Sequence, residues 1–108
     1  MTLAHPEANV IYSHNDAMSF GVIEALEEMG KVPGRDIKIV SIDGTRRGIE
    51  LVLEGKIAAI TECNPKFGPI VFDTIESYAR GEQVPLVVKN VDRVFDATNA
   101  AAYLPEAY

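Results

Sequence analysis

An open α/β sheet is the fold this sequence predicts. Four short β-rich runs alternate with stretches of helical period, and capping residues and glycines punctuate the alternation. Strand, helix, strand, helix in this rhythm calls for parallel strands joined by right-handed crossovers, with helices on both faces of the sheet.

The first run is residues 10–13 (VIYS). Asp16 follows and is the expected helix cap. Met18, Val22, Ala25, Leu26 and Met29 then recur at i, i+4, i+7, i+8 and i+11, which defines one apolar face. Gly30 is the expected stop, and residues 32–34 (VPG) make a turn. The second run is 37–42 (IKIVSI). Beyond it Thr45 caps a short helix carrying Ile49, Val52 and Leu53, closed by Gly55. The third run is 57–61 (IAAIT). Asn64 followed by Pro65 reads as N-cap plus first-turn proline, opening a helix whose apolar positions are Phe67, Ile70, Val71, Thr74, Ile75 and Tyr78, with Gly81 at its end. The fourth run is 85–91 (PLVVKNV). Residues 8–91 thus form a β-α core. Residues 92–108 are expected to hold an extended segment near 93–95 and a loose tail. The whole of 1–108 reads as one unit. Three helices cover four strands only marginally at this size, so part of the unit is expected to be missing.

Composition narrows the function. Hydrophobic residues make up 47% of the chain, which excludes disorder. The net charge of −6, with no basic run, disfavours nucleic acid. The single cysteine, Cys63, forms no internal disulfide and no zinc site by itself. No apolar stretch approaches the roughly 20 residues a bilayer requires. Residues 1–7 have neither a basic n-region nor an apolar h-region, so this chain shows no signal peptide. Dinucleotide and phosphate-loop fingerprints and the nucleophile elbow are all absent, and no cofactor is expected.

In a parallel sheet the C-terminal ends of the strands share one edge, and ligands bind there. That edge receives His14, Asn15 and Asp16 after the first run. It receives Asp43, Gly44 and Thr45 after the second, and Glu62, Cys63 and Asn64 after the third. Carboxylates and amides of this kind suit a polyhydroxylated ligand, because a hydroxyl donates to a carboxylate and exchanges hydrogen bonds with an amide. Asp16, Thr45 and Asn64 have a competing role as helix caps. Asn15 and Asp43 each precede a better cap, which leaves them open between ligand contact and scaffold. Glu62 has no capping role; its alternative is a solvated rim. His14 has no nucleophile and orienting group beside it, so it makes no catalytic constellation. Cys63 reads as a small buried hydrophobe, and Arg46 and Arg47 as solvated residues of a first helical turn.

Residues 13–21 (SHNDAMSFG) resemble the N-D-x-M-A-x-G stretch of type I periplasmic sugar-binding proteins. Residues 39–45 (IVSIDGT) resemble the strand end V-x-x-D-G of the same family, and 54–61 (EGKIAAIT) its x-G-K-L-x-A-T segment. Residues 62–65 (ECNP), with Gly68 and Pro69, are most similar to the galactofuranose-binding subgroup. The resemblance runs from about Ala8 onward. It implies the incomplete C-terminal lobe of a two-lobed receptor that closes on a monosaccharide and delivers it to the membrane permease of an ABC importer. The full-length protein would then be periplasmic or extracytoplasmic. The resemblance implies Asn15 and Asp43 as the amide and carboxylate that bind sugar hydroxyls, with Glu62, or in its place Asn64, as a third group. It also implies no catalysis. The alternative carrier of the same motifs is the effector-binding core of a lactose-repressor-type regulator. A fragment with an uncovered sheet is further expected to self-associate.

Overall fold

The computed structural model describes residues 4–108. Met1–Leu3, which belong to the predicted unit and to the stretch read as lacking a leader, lie outside the described residues. Nine elements follow in order: β1 (Val10–Tyr12), α1 (Asp16–Glu28), β2 (Lys38–Asp43), α2 (Arg46–Leu53), β3 (Ala59–Glu62), α3 (Gly68–Ala79), β4 (Val94–Asp96), α4 (Ala100–Tyr103) and a 3-10 turn, Leu104–Glu106. The sheet has the order β1-β2-β3-β4. β1, β2 and β3 are parallel, as the β-α alternation requires. β4 runs antiparallel to β3, pairing Ile60 with Phe95, so the open sheet is mixed rather than wholly parallel.

The core is built on one face of this sheet. Ile11 and Ile39 are register partners, as are Ile60 and Phe95, and all four are buried. Against them pack Ile23 and Leu26 of α1, Ile49 and Val52 of α2, and Tyr103 of α4, whose ring stacks on Phe95 at 4.0 Å between centroids. Each such aliphatic burial contributes about 1.5–3 kcal/mol. The other face is bare at several points: Val10, Tyr12 and Val94 are more than half exposed. The expectation of helices on both faces is therefore corrected. α1, α2 and α4 all bury their contacts on the same side.

Two helices differ from their predicted form for identifiable reasons. α1 buries Asp16, Ser19, Ile23 and Leu26, a face rotated from the predicted one, and Met18 and Met29 are exposed. The polar pair Ser19–Ser41, 2.9 Å apart, turns the serine side of the helix inward. α3 begins at Gly68 instead of Pro65, because the Asn64 side chain accepts the Lys66 amide at 2.8 Å and closes a local turn. Its first-turn proline is Pro69.

α3 buries none of its residues, and Phe72, Ile75 and Tyr78 are more than half exposed. Residues 85–91 form no strand, contrary to the predicted fourth run, and Leu86, Val87 and Val91 are exposed. β4 takes the place beside β3 that this run was expected to fill. α3 and the segment after it leave the body, and the radius of gyration is 17.9 Å against about 13 Å for a compact chain of about 100 residues.

Gly48, inside α2, marks a close approach between α2 and α1. A Cβ there would come within 2.7 Å of the Asp16 Cγ and 3.0 Å of the Ile60 Cδ1. Gly48→Ala is expected to destabilise the chain by about 1–3 kcal/mol despite alanine's better helix propensity. A lower denaturant midpoint in circular dichroism checks this. An unchanged midpoint would show that the α1–α2 contact has slack.

Candidate functional site

The rim at the C-terminal ends of β1, β2 and β3 collects the predicted residues. Register pairs Asp43 directly with Glu62. Extending the β1–β2 pairing by three residues sets Asn15 beside Asp43, and the Asp16 amide donates to Asp43 Oδ2 at 3.4 Å. The three strand ends therefore meet on one edge.

Asp16 organises this edge, and not as a cap. Its side chain is fully buried. Oδ1 accepts the Ser41 hydroxyl at 2.7 Å. Oδ2 accepts the Gly44 amide at 3.1 Å, the Thr45 amide at 2.8 Å and the Thr45 hydroxyl at 2.7 Å. The cap of α1 is instead Asn15, whose Oδ1 accepts the Met18 amide at 2.8 Å. That capping role is worth about 1 kcal/mol. It fixes the amide plane and leaves Nδ2 without a partner among the described residues. Thr45 caps α2 as predicted, accepting the Gly48 amide.

Asp43 has φ of 125°, the one non-glycine residue at positive φ among those described. Such backbone strain costs about 1–3 kcal/mol and persists only where surroundings enforce it. Burial pushes the Asp43 carboxyl above its ordinary value, and the neighbouring Asp16 charge adds to this. The Asp16 amide bond works the other way.

Glu62 behaves differently from the expectation of a free ligand group or a solvated rim. Its side chain is fully buried and points to the helix-covered face. Oε2 accepts from the Arg93 backbone amide at 3.0 Å and from Nε at 2.9 Å. Oε1 accepts from Arg93 Nη2 at 3.1 Å and from the Tyr103 hydroxyl at 3.0 Å. The Arg93 bonds, first among the causes, hold the Glu62 carboxyl below its usual value. Arg93 is itself laid over the Tyr103 ring at 4.3 Å. Asn64 sits two residues beyond β3, with its Oδ1 spent on the Lys66 amide. Its backbone is tied to Asp92 and Asn90 on the returning chain.

Other expectations at the rim are settled by packing. Cys63 is exposed, not a buried hydrophobe; its amide donates to the Asp43 carbonyl at 2.9 Å. His14 is exposed, with its ring 5.3 Å from that of Tyr12. Arg47 pairs with Glu50 and Glu54 on the surface, whereas Arg46 holds the tail through the Ala107 carbonyl. Tyr108, in the segment read as a loose tail, places its hydroxyl 3.2 Å from the Asp43 carbonyl and 3.1 Å from that of Cys63. Sequence reasoning missed Arg93, Tyr103 and Tyr108. Nothing in the local pattern links residues 31–65 positions away from their partners. Gly48 in a helix interior was the one local sign of the buried Asp16.

This arrangement, a strand-end rim of amides and carboxylates on a β-α scaffold, is that of the periplasmic-binding-protein type I fold. The comparisons agree. The galactofuranose-binding protein YtfQ of Escherichia coli (strain K12) is 32% identical over 97 residues, which is 90% of this chain and 28% of the relative. A structure from Mycobacterium smegmatis in complex with β-D-fucofuranose superposes with a TM-score of 0.85 and 43% identity, covering 96% of this chain and 34% of the other. The periplasmic binding component of the arabinose ABC transporter from Shewanella sp. ANA-3, bound to α- and β-L-arabinofuranose, gives a TM-score of 0.80 and 34% identity. It covers 90% of this chain and 32% of that one. No family model matches the chain. The chain thus spans about a third of the length of these relatives, and it matches a portion of a type I periplasmic sugar-binding protein. Nothing among these relatives supports the repressor alternative. Among the described residues no helix is long and apolar enough to cross a membrane.

Because the Glu62 carboxyl is depressed in the folded state, its contribution is complete above the unfolded value of about 4.3 and is lost as pH falls through the folded value. Arg93→Met, which strands that carboxylate, is expected to cost about 3 kcal/mol at pH 7. The gap from the unsubstituted chain should narrow between pH 5 and pH 3 as Glu62 protonates. Urea midpoints across that range check the sign; a gap that widens on acidification would refute it.

Proposed function

We propose that this chain is the C-terminal part of the substrate-binding component of an ABC sugar importer, and that it binds a monosaccharide without transforming it. One observation supports the reading: the parallel strand ends bring the β1–α1 junction against Asp43, whose Oδ2 accepts the Asp16 amide at 3.4 Å. Asn15 offers Nδ2 to a sugar oxygen, and the Asp43 carboxylate accepts from a hydroxyl. Asn64 Nδ2 is the third group and the second donor. Glu62 acts from behind, by anchoring Arg93, since its own oxygens are engaged. Its partners are the sugar and a membrane permease, and the complete protein works outside the cytoplasm.

The sugar is taken in its five-membered ring form. Galactofuranose, fucofuranose and arabinofuranose are named for three of the relatives. Saturation-transfer NMR with L-arabinose, whose solutions hold both ring forms, tests this. Saturation is expected on the furanose anomeric protons. Saturation confined to the pyranose signals would overturn the ring assignment.

The isolated chain lacks most of the length of its relatives, so its affinity is expected to be weaker than micromolar. Isothermal titration that returned micromolar binding would show that the present residues suffice. The apolar stripe of α3 and the bare sheet face also favour self-association. Static light scattering should give a mass that rises with concentration, and a constant monomer mass would remove this part of the proposal.

A further inference from the structure

We infer that Tyr108 is a positioning residue for the sugar site: its hydroxyl clamps the peptide unit between Asp43 and Gly44 and so sets the direction of the Asp43 carboxylate. The inference rests on the functional reading of Asp43 given above, but its geometry stands independently.

That peptide unit is held from both ends. Its carbonyl oxygen, from Asp43, accepts the Cys63 amide at 2.9 Å and lies 3.2 Å from the Tyr108 hydroxyl. Its N–H, from Gly44, donates to the buried Asp16 Oδ2 at 3.1 Å. Between these clamps Asp43 takes a φ of 125°, a conformation that side-chain-bearing residues adopt only under constraint. Two of the clamps come from neighbouring strand ends. The third arrives from the far end of the chain. The Tyr108 hydroxyl also lies 3.1 Å from the Cys63 carbonyl, so its one proton is shared between β2 and β3 at the rim.

The tail is itself built to deliver this group. The Tyr108 main-chain oxygen accepts the Arg46 amide at 2.7 Å, and Arg46 Nη2 holds the Ala107 carbonyl at 3.2 Å. Ala107 is buried, and Lys66 Nζ reaches the Glu106 carbonyl at 2.7 Å. Burial raises the Tyr108 hydroxyl to about 12, with the nearby Asp43 charge contributing, so it stays a donor at any physiological pH. Tyr108 is 41% exposed, so part of the residue stays open to solvent at the strand-end rim.

The test is Tyr108→Phe in the isotopically labelled chain, which keeps the ring and removes the proton. The three-bond HN–Hα coupling of Asp43 reports φ directly. It is expected to be small in the unsubstituted chain and to rise toward the extended-strand value in the variant, with a displaced Gly44 amide resonance. A well-dispersed spectrum with an unchanged Asp43 coupling and only a lower melting temperature would reduce Tyr108 to a tail anchor and overturn the inference. Titration of both chains with L-arabinose separates the two claims. Shifts at Asn15 and Asp43 that weaken in Tyr108→Phe support both. An absence of shifts in the unsubstituted chain counts against the sugar reading, while the coupling still decides the role of Tyr108.

Discussion

A carboxylate with no access to water holds this molecule's working edge together. Asp16 accepts four hydrogen bonds, from Ser41, Gly44 and two groups of Thr45, and so fastens the β1–α1 junction to the β2–α2 junction. A buried charge is tolerated only when its lone pairs are engaged, and removing partners leaves a desolvated anion. The surrounding sequence follows from that demand. Position 48 holds glycine because a Cβ would strike the carboxylate. Position 41 is a serine in a strand otherwise rich in isoleucine and valine. Ser19 completes the chain of hydroxyls that lets α1 lie against β2.

What this tie achieves is a rim whose groups are oriented before any ligand arrives. Asn15 is held by capping α1, and the Asp43 backbone is held in a strained conformation, which lowers the freedom each would lose on binding. Glu62 occupies the equivalent place on β3, yet it turns inward and takes Arg93 and Tyr103 as partners. Its role is to bond the returning chain to the sheet, which makes β4 and α4 part of the same rigid support. Preorganised amide and carboxylate groups on a stiff edge fit recognition of a hydroxylated ligand. No general base with an aligned nucleophile accompanies them among the described residues.

Much of this was legible in the residues. The β-α alternation and the three strand ends follow from period and punctuation, because local patterns govern local elements. The Asn15–Asp43 pairing follows once the strands are known to be parallel. What was illegible depends on distant partners. Residues 85–91 have strand composition, but β4 takes the place beside β3, and composition does not record which segment wins a given edge. Asp16 and Asn15 are both good caps by type, and the choice between them is made by Gly44 and Thr45, which bond one and not the other. The Glu62–Arg93 pair spans 31 positions with α3 between, so no window of sequence contains both.

The antiparallel β4 carries a consequence for assembly. β1, β2 and β3 are joined by excursions that are themselves compact helical turns, whereas β4 reaches β3 only after an excursion of about 30 residues whose helix buries nothing. Closing a flexible excursion of that length costs about 3 kcal/mol in chain entropy, and Phe95, Tyr103 and the Arg93–Glu62 pair must offset it together. Smaller sequence separation favours pairing of the three parallel strands ahead of docking of the carboxyl-terminal segment. In a chain held by a ribosome or nicked near residue 90, the parallel strands would be in place with Glu62 still unpaired.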